Sequence, residues 1–143
     1  MTETHSHRYW KNLRLRRAEW RGYLFALGGY LVCSLLMLIP ILPHFTQAIP
    51  GGPVAAVDGW QNVWNLWWTQ QALANGTNPF YTNYLYYPDG IPLHLHTLNI
   101  CNGLLVLPIT TLFGPIAGYN TAVLLAFVLM GMGGYCLALR VSG

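Results

Sequence analysis

Two stretches of this chain, 22–57 and 90–139, contain no Lys, Arg, Asp or Glu. A water-exposed surface cannot be built across runs of that length without ionised side chains, so the chain must place much of its surface in a medium other than water. Composition agrees: 8% of the 143 residues are charged and 54% are hydrophobic, against about 25% charged in ordinary soluble domains. The expected class is an all-α membrane protein.

The charge that remains is gathered at one end. Arg8, Lys11, Arg14, Arg16, Arg17 and Arg21 precede the first apolar run, and Arg140 follows the last. The net charge of +3 thus belongs to a tail beside an apolar segment. That is a topology signal rather than a nucleic-acid arm. It predicts a basic cytoplasmic tail over 1–22, a first transmembrane helix over 23–43 and a second over 116–139, each long enough to cross a hydrocarbon core of about 30 Å. A cleavable signal peptide would have a shorter apolar region than 23–43. Both termini are then cytoplasmic and 44–99 is an extracytoplasmic loop, which points to the cell (inner) membrane. The apolar segment 100–114 is short for a span and is expected to be interfacial or re-entrant; a three-span arrangement is the alternative.

Within the loop, "AAVDGWQNVWNLWWTQQALANG" predicts an amphipathic helix over 58–75. On helical spacing Asp58, Asn62, Asn65 and Thr69 share one face, with Gln61 beside it. Trp60, Val63, Trp64, Trp67 and Trp68 cover the rest. Indole has an apolar body and a polar N–H, so Trp60, Trp64, Trp67 and Trp68 are expected at the membrane interface. Gly76 is the expected stop. Asp58 is expected either to cap this helix or to carry chemistry. Next, "NPFYTNYLYYPDGIPLHLHTLN" is expected to be an ordered loop with little regular structure, turning at Asp89. Asn75 stands in an "NGT" glycosylation sequon. Cys33 and Cys136 lie in apolar runs and are expected to be buried, inert thiols. With Cys101 they have no metal-ligand or disulfide spacing. Gly118, Gly131, Gly133 and Gly134 are the small residues expected to let helices approach closely in lipid.

The order of these features resembles the N-terminal part of GT-C-fold membrane glycosyltransferases, most nearly the bacterial members related to protein mannosyltransferases and to enzymes that decorate lipid A. The residues that carry the likeness are Asp58 with the Trp-rich helix, "NGTNPFYTNYLYYPDGIPLHLHTLN", the short apolar segment ending "LFG", "AGYN" and "YCLALRVSG". The resemblance implies a polyprenyl-phosphate-linked sugar as donor, transfer to an extracytoplasmic acceptor, and further membrane helices or subunits as partners, the chain being incomplete as an enzyme. It places the catalytic carboxylate at Asp58. Substrate contacts are expected from Asn62, one turn on, and from His94 and His96, which alternate as a strand would and could meet a phosphate. Many members carry two acids near the first position; here none follows before Asp89, which leaves a divalent metal weakly supported and no metal ligand assigned. The alternative is a non-enzymatic small membrane subunit packing in a larger complex. A transporter would place polar residues within its spans, whereas here they lie in the loop.

Overall fold

The computed structural model describes residues 3–51 and 56–142, with the side chains of 20–51 and 57–142. The basic side chains before Trp20, the His5/His7 pair and connector residues 52–55 lie outside the described residues. Among the described residues the chain is mostly helical, 68% in five α-helices, and it divides into two compact units, Met1–Met37 with Ala126–Gly143, and Leu38–Leu125.

The first unit holds the first apolar helix and the larger part of the second, from Ala126 onward. Helix α1 runs Glu3–Met37 without interruption at residue 22, so the basic segment is helical and continuous with the apolar one. Its apolar window is Trp20–Met37, and α5 is Pro115–Ser142. At about 1.5 Å per residue both are long and apolar enough to cross a membrane. Helix α1 ends at Met37 rather than at Pro43, because Pro40 has no N–H to donate and disfavours helical backbone at Ile39. The chain then turns, with Ile41 N–H and Leu42 N–H both donating to Leu38 O at 2.9 and 3.0 Å.

Among the described residues of this unit, Ser34 and Val128 are the buried ones. The Ser34 hydroxyl donates to Tyr30 O at 2.7 Å, and Tyr23 meets Tyr135 edge-on at 5.7 Å. Tyr30 lies directly against Gly131, where any Cβ would collide with its ring. Gly133 and Gly134 face open space, so of the expected close-approach glycines on this stretch only Gly131 acts as one. Cys33 and Cys136 are exposed rather than buried. The pair of helices covers a narrow strip of each, and apolar side chains such as Phe25 and Met130 remain uncovered, at 74% and 70%.

The second unit is built on α2, Ala56–Ala74. Its C-terminus closes in a Schellman turn: Thr77 N–H donates to Ala72 O at 2.8 Å, Gly76 N–H to Leu73 O at 3.2 Å, and Gly76 takes φ +62°, a conformation that glycine adopts without strain. The loop then folds back along the helix. Two short antiparallel strands, β1 (Tyr81–Thr82) and β2 (Ile91–Pro92), pair Tyr81 with Pro92 and Thr82 with Ile91. Between them the chain reverses at Asp89–Gly90, where the Tyr81 hydroxyl donates to Asp89 O. Leu93 inserts under the loop and joins Trp68 and Ala72 in the core.

Residues 100–114 form two short helices, α3 (Ile100–Leu105) and α4 (Leu107–Phe113). At six and seven residues each rises about 10 Å, so neither crosses a bilayer, and the three-span arrangement has no third helix among the described residues. Both pack on α2. Gly103 sits where a Cβ would stand 2.8 Å from Thr69 Cγ2 and Oγ1, and that close approach seals Thr69, which is 0% exposed. The Asn65 and Thr69 part of the expected polar face is therefore an inner contact. Thr69 satisfies its hydroxyl on Asn65 O at 2.8 Å.

Candidate functional site

Asp58 is the third residue of α2, exposed and inside the first helical turn. The N-cap reading is thereby corrected: the capping position precedes Ala56 and lies outside the described residues. A carboxylate in the first turn still interacts favourably with the helix dipole. The Asn62 side-chain amide donates to Asp58 O at 2.8 Å, so Asn62 is tied to the helix backbone while part of its surface stays open.

What surrounds Asp58 comes from distant sequence. Gly59 is buried against Ile49, and a Cβ there would stand 2.8 Å from Ile49 Cδ1 and 3.6 Å from the Tyr119 hydroxyl. Asn120 is 0% exposed, and its amide donates to Phe45 O and Ala48 O, 2.8 Å each. This clamp fixes the turn that ends one residue before Ile49. In the sequence, Tyr119 and Asn120 stand out only as two polar residues at the head of an apolar helix. Asn120→Leu leaves two carbonyls without their donor and is expected to destabilise the chain by about 1–3 kcal/mol, read as a lowered melting temperature in detergent. An unchanged melting temperature would show that the clamp is idle.

Further along α2, the Gln61 side-chain nitrogen lies 3.0 Å from His96 Nε2 and donates to Thr97 Oγ1 at 2.9 Å. Asn65 Nδ2 donates to Thr97 O at 2.9 Å, and Trp64 meets the His96 ring at 6.1 Å. His96 is half-buried in this group, while His94 is exposed. The two histidines do not share a side, because β2 stops at Pro92 and the chain turns, His96 N–H donating to Leu93 O at 3.1 Å. The strand-like alternation expected of "HLH" is lost at that turn. Among the described residues no three His, Cys, Asp or Glu side chains gather as a metal site.

The four tryptophans part company. Trp60 is 48% exposed and Trp68 5%. Trp64 stacks on Trp68 with centroids 6.1 Å apart and planes 9° apart, and the Trp68 indole N–H donates to Pro79 O at 2.9 Å. Trp64 and Trp67 pack with Leu85, Ile91 and Leu98 against the core. The indole side of α2 is thus covered by its own loop, and Trp60 is the tryptophan of this helix left open.

Fold and site together define a helical chain with two helices of membrane-spanning length and apolarity and one exposed carboxylate at the head of a tryptophan-packed helix. Neither a family model, nor a curated protein, nor a solved structure matches the chain.

Proposed function

We propose that this chain belongs to a membrane glycosyltransferase that moves a sugar from a polyprenyl-phosphate carrier to an acceptor at the extracytoplasmic face. The observation that carries the reading is Asp58, an exposed carboxylate in the first turn of α2, next in sequence to Gly59, which lies close to the Tyr119 hydroxyl. In the reaction the acceptor hydroxyl oxygen forms a bond to the anomeric carbon. The bond from that carbon to the phosphate oxygen breaks, and the phosphate leaves with the electron pair. Asp58 receives the hydroxyl proton as general base. Asn62 lies one turn on, and exposed His94 is free to meet the carrier phosphate; His96 acts through Gln61 and Thr97. The test supplies membranes containing the chain, joined to the further membrane helices or subunits that this reading requires, with radiolabelled polyprenyl-phosphate sugars and counts label in the lipid and protein fractions. Label that moves only when Asp58 is intact supports the reading; no Asp58-dependent transfer overturns it. A non-enzymatic membrane subunit is the second reading, favoured by Gly133 and Gly134 facing open space on α5, and the same assay separates the two.

The orientation proposed places both termini in the cytoplasm, from the six basic residues before residue 22 and Arg140 beyond the last span. On a background lacking the three native cysteines, Leu95→Cys is expected to react with an impermeant maleimide in intact cells, and Ser142→Cys only after lysis. Labelling of Ser142→Cys from outside would reverse the second span.

A further inference from the structure

At the other end of α2 lies a cavity of about 400 Å³, within the range of small-ligand sites. Its walls include Trp68, Gln71, Asn75, Tyr81, Asn83 and Tyr84, and no charged side chain lines it. We infer that this cavity is a binding site for a neutral saccharide, separate from the Asp58 site. Gln71 lies thirteen residues beyond Asp58 on the same helix, about 20 Å along its axis. A sugar held here is therefore out of reach of Asp58. The site would hold a glycan unit remote from any reacting end, and it stands whether or not Asp58 transfers sugar.

The chemistry of the walls selects the ligand. An anion such as a phosphate or carboxylate would lose its hydration and find no countercharge. A wholly apolar ligand would strip water from the half-buried Gln71 amide and the exposed Asn75 and Asn83 amides and give them no partner in return. Among the described residues, the Gln71, Asn75 and Asn83 side chains form no hydrogen bond within the protein, whereas the other polar groups nearby are engaged: Thr77 on Ala72 O, Thr82 on Tyr84 N–H, and Asn78 on Phe80 N–H. Each free amide offers both an acceptor oxygen and an NH2 donor, which matches neighbouring sugar hydroxyls that likewise donate and accept. Tyr84 supplies the apolar part. It stays 65% exposed, yet its ring is held edge-on to Trp67 at 5.4 Å and packs on Trp68 at 5.7 Å. A pyranose has a face of C–H groups that lies well against such a fixed ring, which loses little freedom on binding.

The experiment uses the full chain in detergent and ligand-observed saturation-transfer NMR with maltose, cellobiose and an α-linked mannobiose, none of which needs a lipid carrier. At least one is expected to bind. Gln71→Ala and Asn83→Ala are expected to weaken that binding about tenfold each, the loss of roughly one hydrogen bond, and Tyr84→Ala to weaken it further, while Tyr84→Phe retains it. Melting temperature is read on the same samples, and the amide variants are expected to melt with the parent. The inference is overturned if no disaccharide binds, if both amide variants bind as the parent does, or if an alanine tetrapeptide amide competes as well as the sugars do. The transfer assay above can fail without touching this result, because binding here requires neither donor nor Asp58.

Discussion

Asp58→Asn is expected to lower sugar transfer by about 10²–10⁴-fold, the usual worth of general-base catalysis, with the fold retained. Asparagine has nearly the same shape, and the bond that Asn62 makes runs to the backbone oxygen of residue 58, so it survives the change. What the fold loses is the attraction between a carboxylate in the first turn and the helix dipole, about 0.3–1 kcal/mol at an exposed position. Because Asp58 is inside the turn rather than at the cap, Asp58→Ala should also fold, with transfer as low as that of the asparagine variant. Transfer and melting temperature are measured on the same membranes and purified samples. Transfer by Asp58→Asn near the parental rate would remove Asp58 from the chemistry.

The largest expected loss of stability comes from Trp68→Ala, at about 3–5 kcal/mol. Trp68 is 5% exposed, forms the core with Ala72 and Leu93, and leaves Pro79 O without its donor when removed. No neighbouring side chain can close the cavity cheaply, since Trp64 and Tyr84 already rest on the indole. A melting temperature lowered by more than about 10 °C is expected for a unit of this size. Trp60→Ala is the control: at 48% exposed it should shift stability by no more than about 0.5 kcal/mol. Near-equal effects of the two substitutions would contradict the packing described. The same contrast bears on membrane contact: Trp60 is the most exposed of the four indoles on α2 and is expected to be the one most quenched by lipid-borne bromine.

Much of the site was legible one residue at a time. Asp58 stands out because it is an isolated acid, and it does emerge exposed at the head of α2. Its companions were not legible. Tyr119 and Asn120 are some sixty residues away, and nothing in their local sequence says that Asn120 grips the carbonyls of Phe45 and Ala48. His94 and His96 look equivalent in "HLH", yet a turn that begins at Leu93 sends one outward and seats the other against Gln61. Gln71 and Asn83 were unremarkable in sequence because the cavity they share exists only once the loop has folded back on α2.

The two long apolar helices, the extent of α2 to within two residues, its glycine stop at Gly76 and the turn at Asp89–Gly90 are legible in local sequence. Those features depend on hydropathy summed over neighbours and on the backbone preferences of single residues, both of which are local. Which side of α2 lies inside depends on packing between distant segments. Periodicity sorts a helix into polar and apolar faces as though one face must meet water. Here Gly103 brings α3 onto Asn65 and Thr69, while the loop around Leu93 covers the indoles. Beyond its first turns both faces are covered because a small residue and a returning loop, each about thirty residues away in the chain, fit against them, and that complementarity of shape and hydrogen bonding is a property of pairs that no single segment contains.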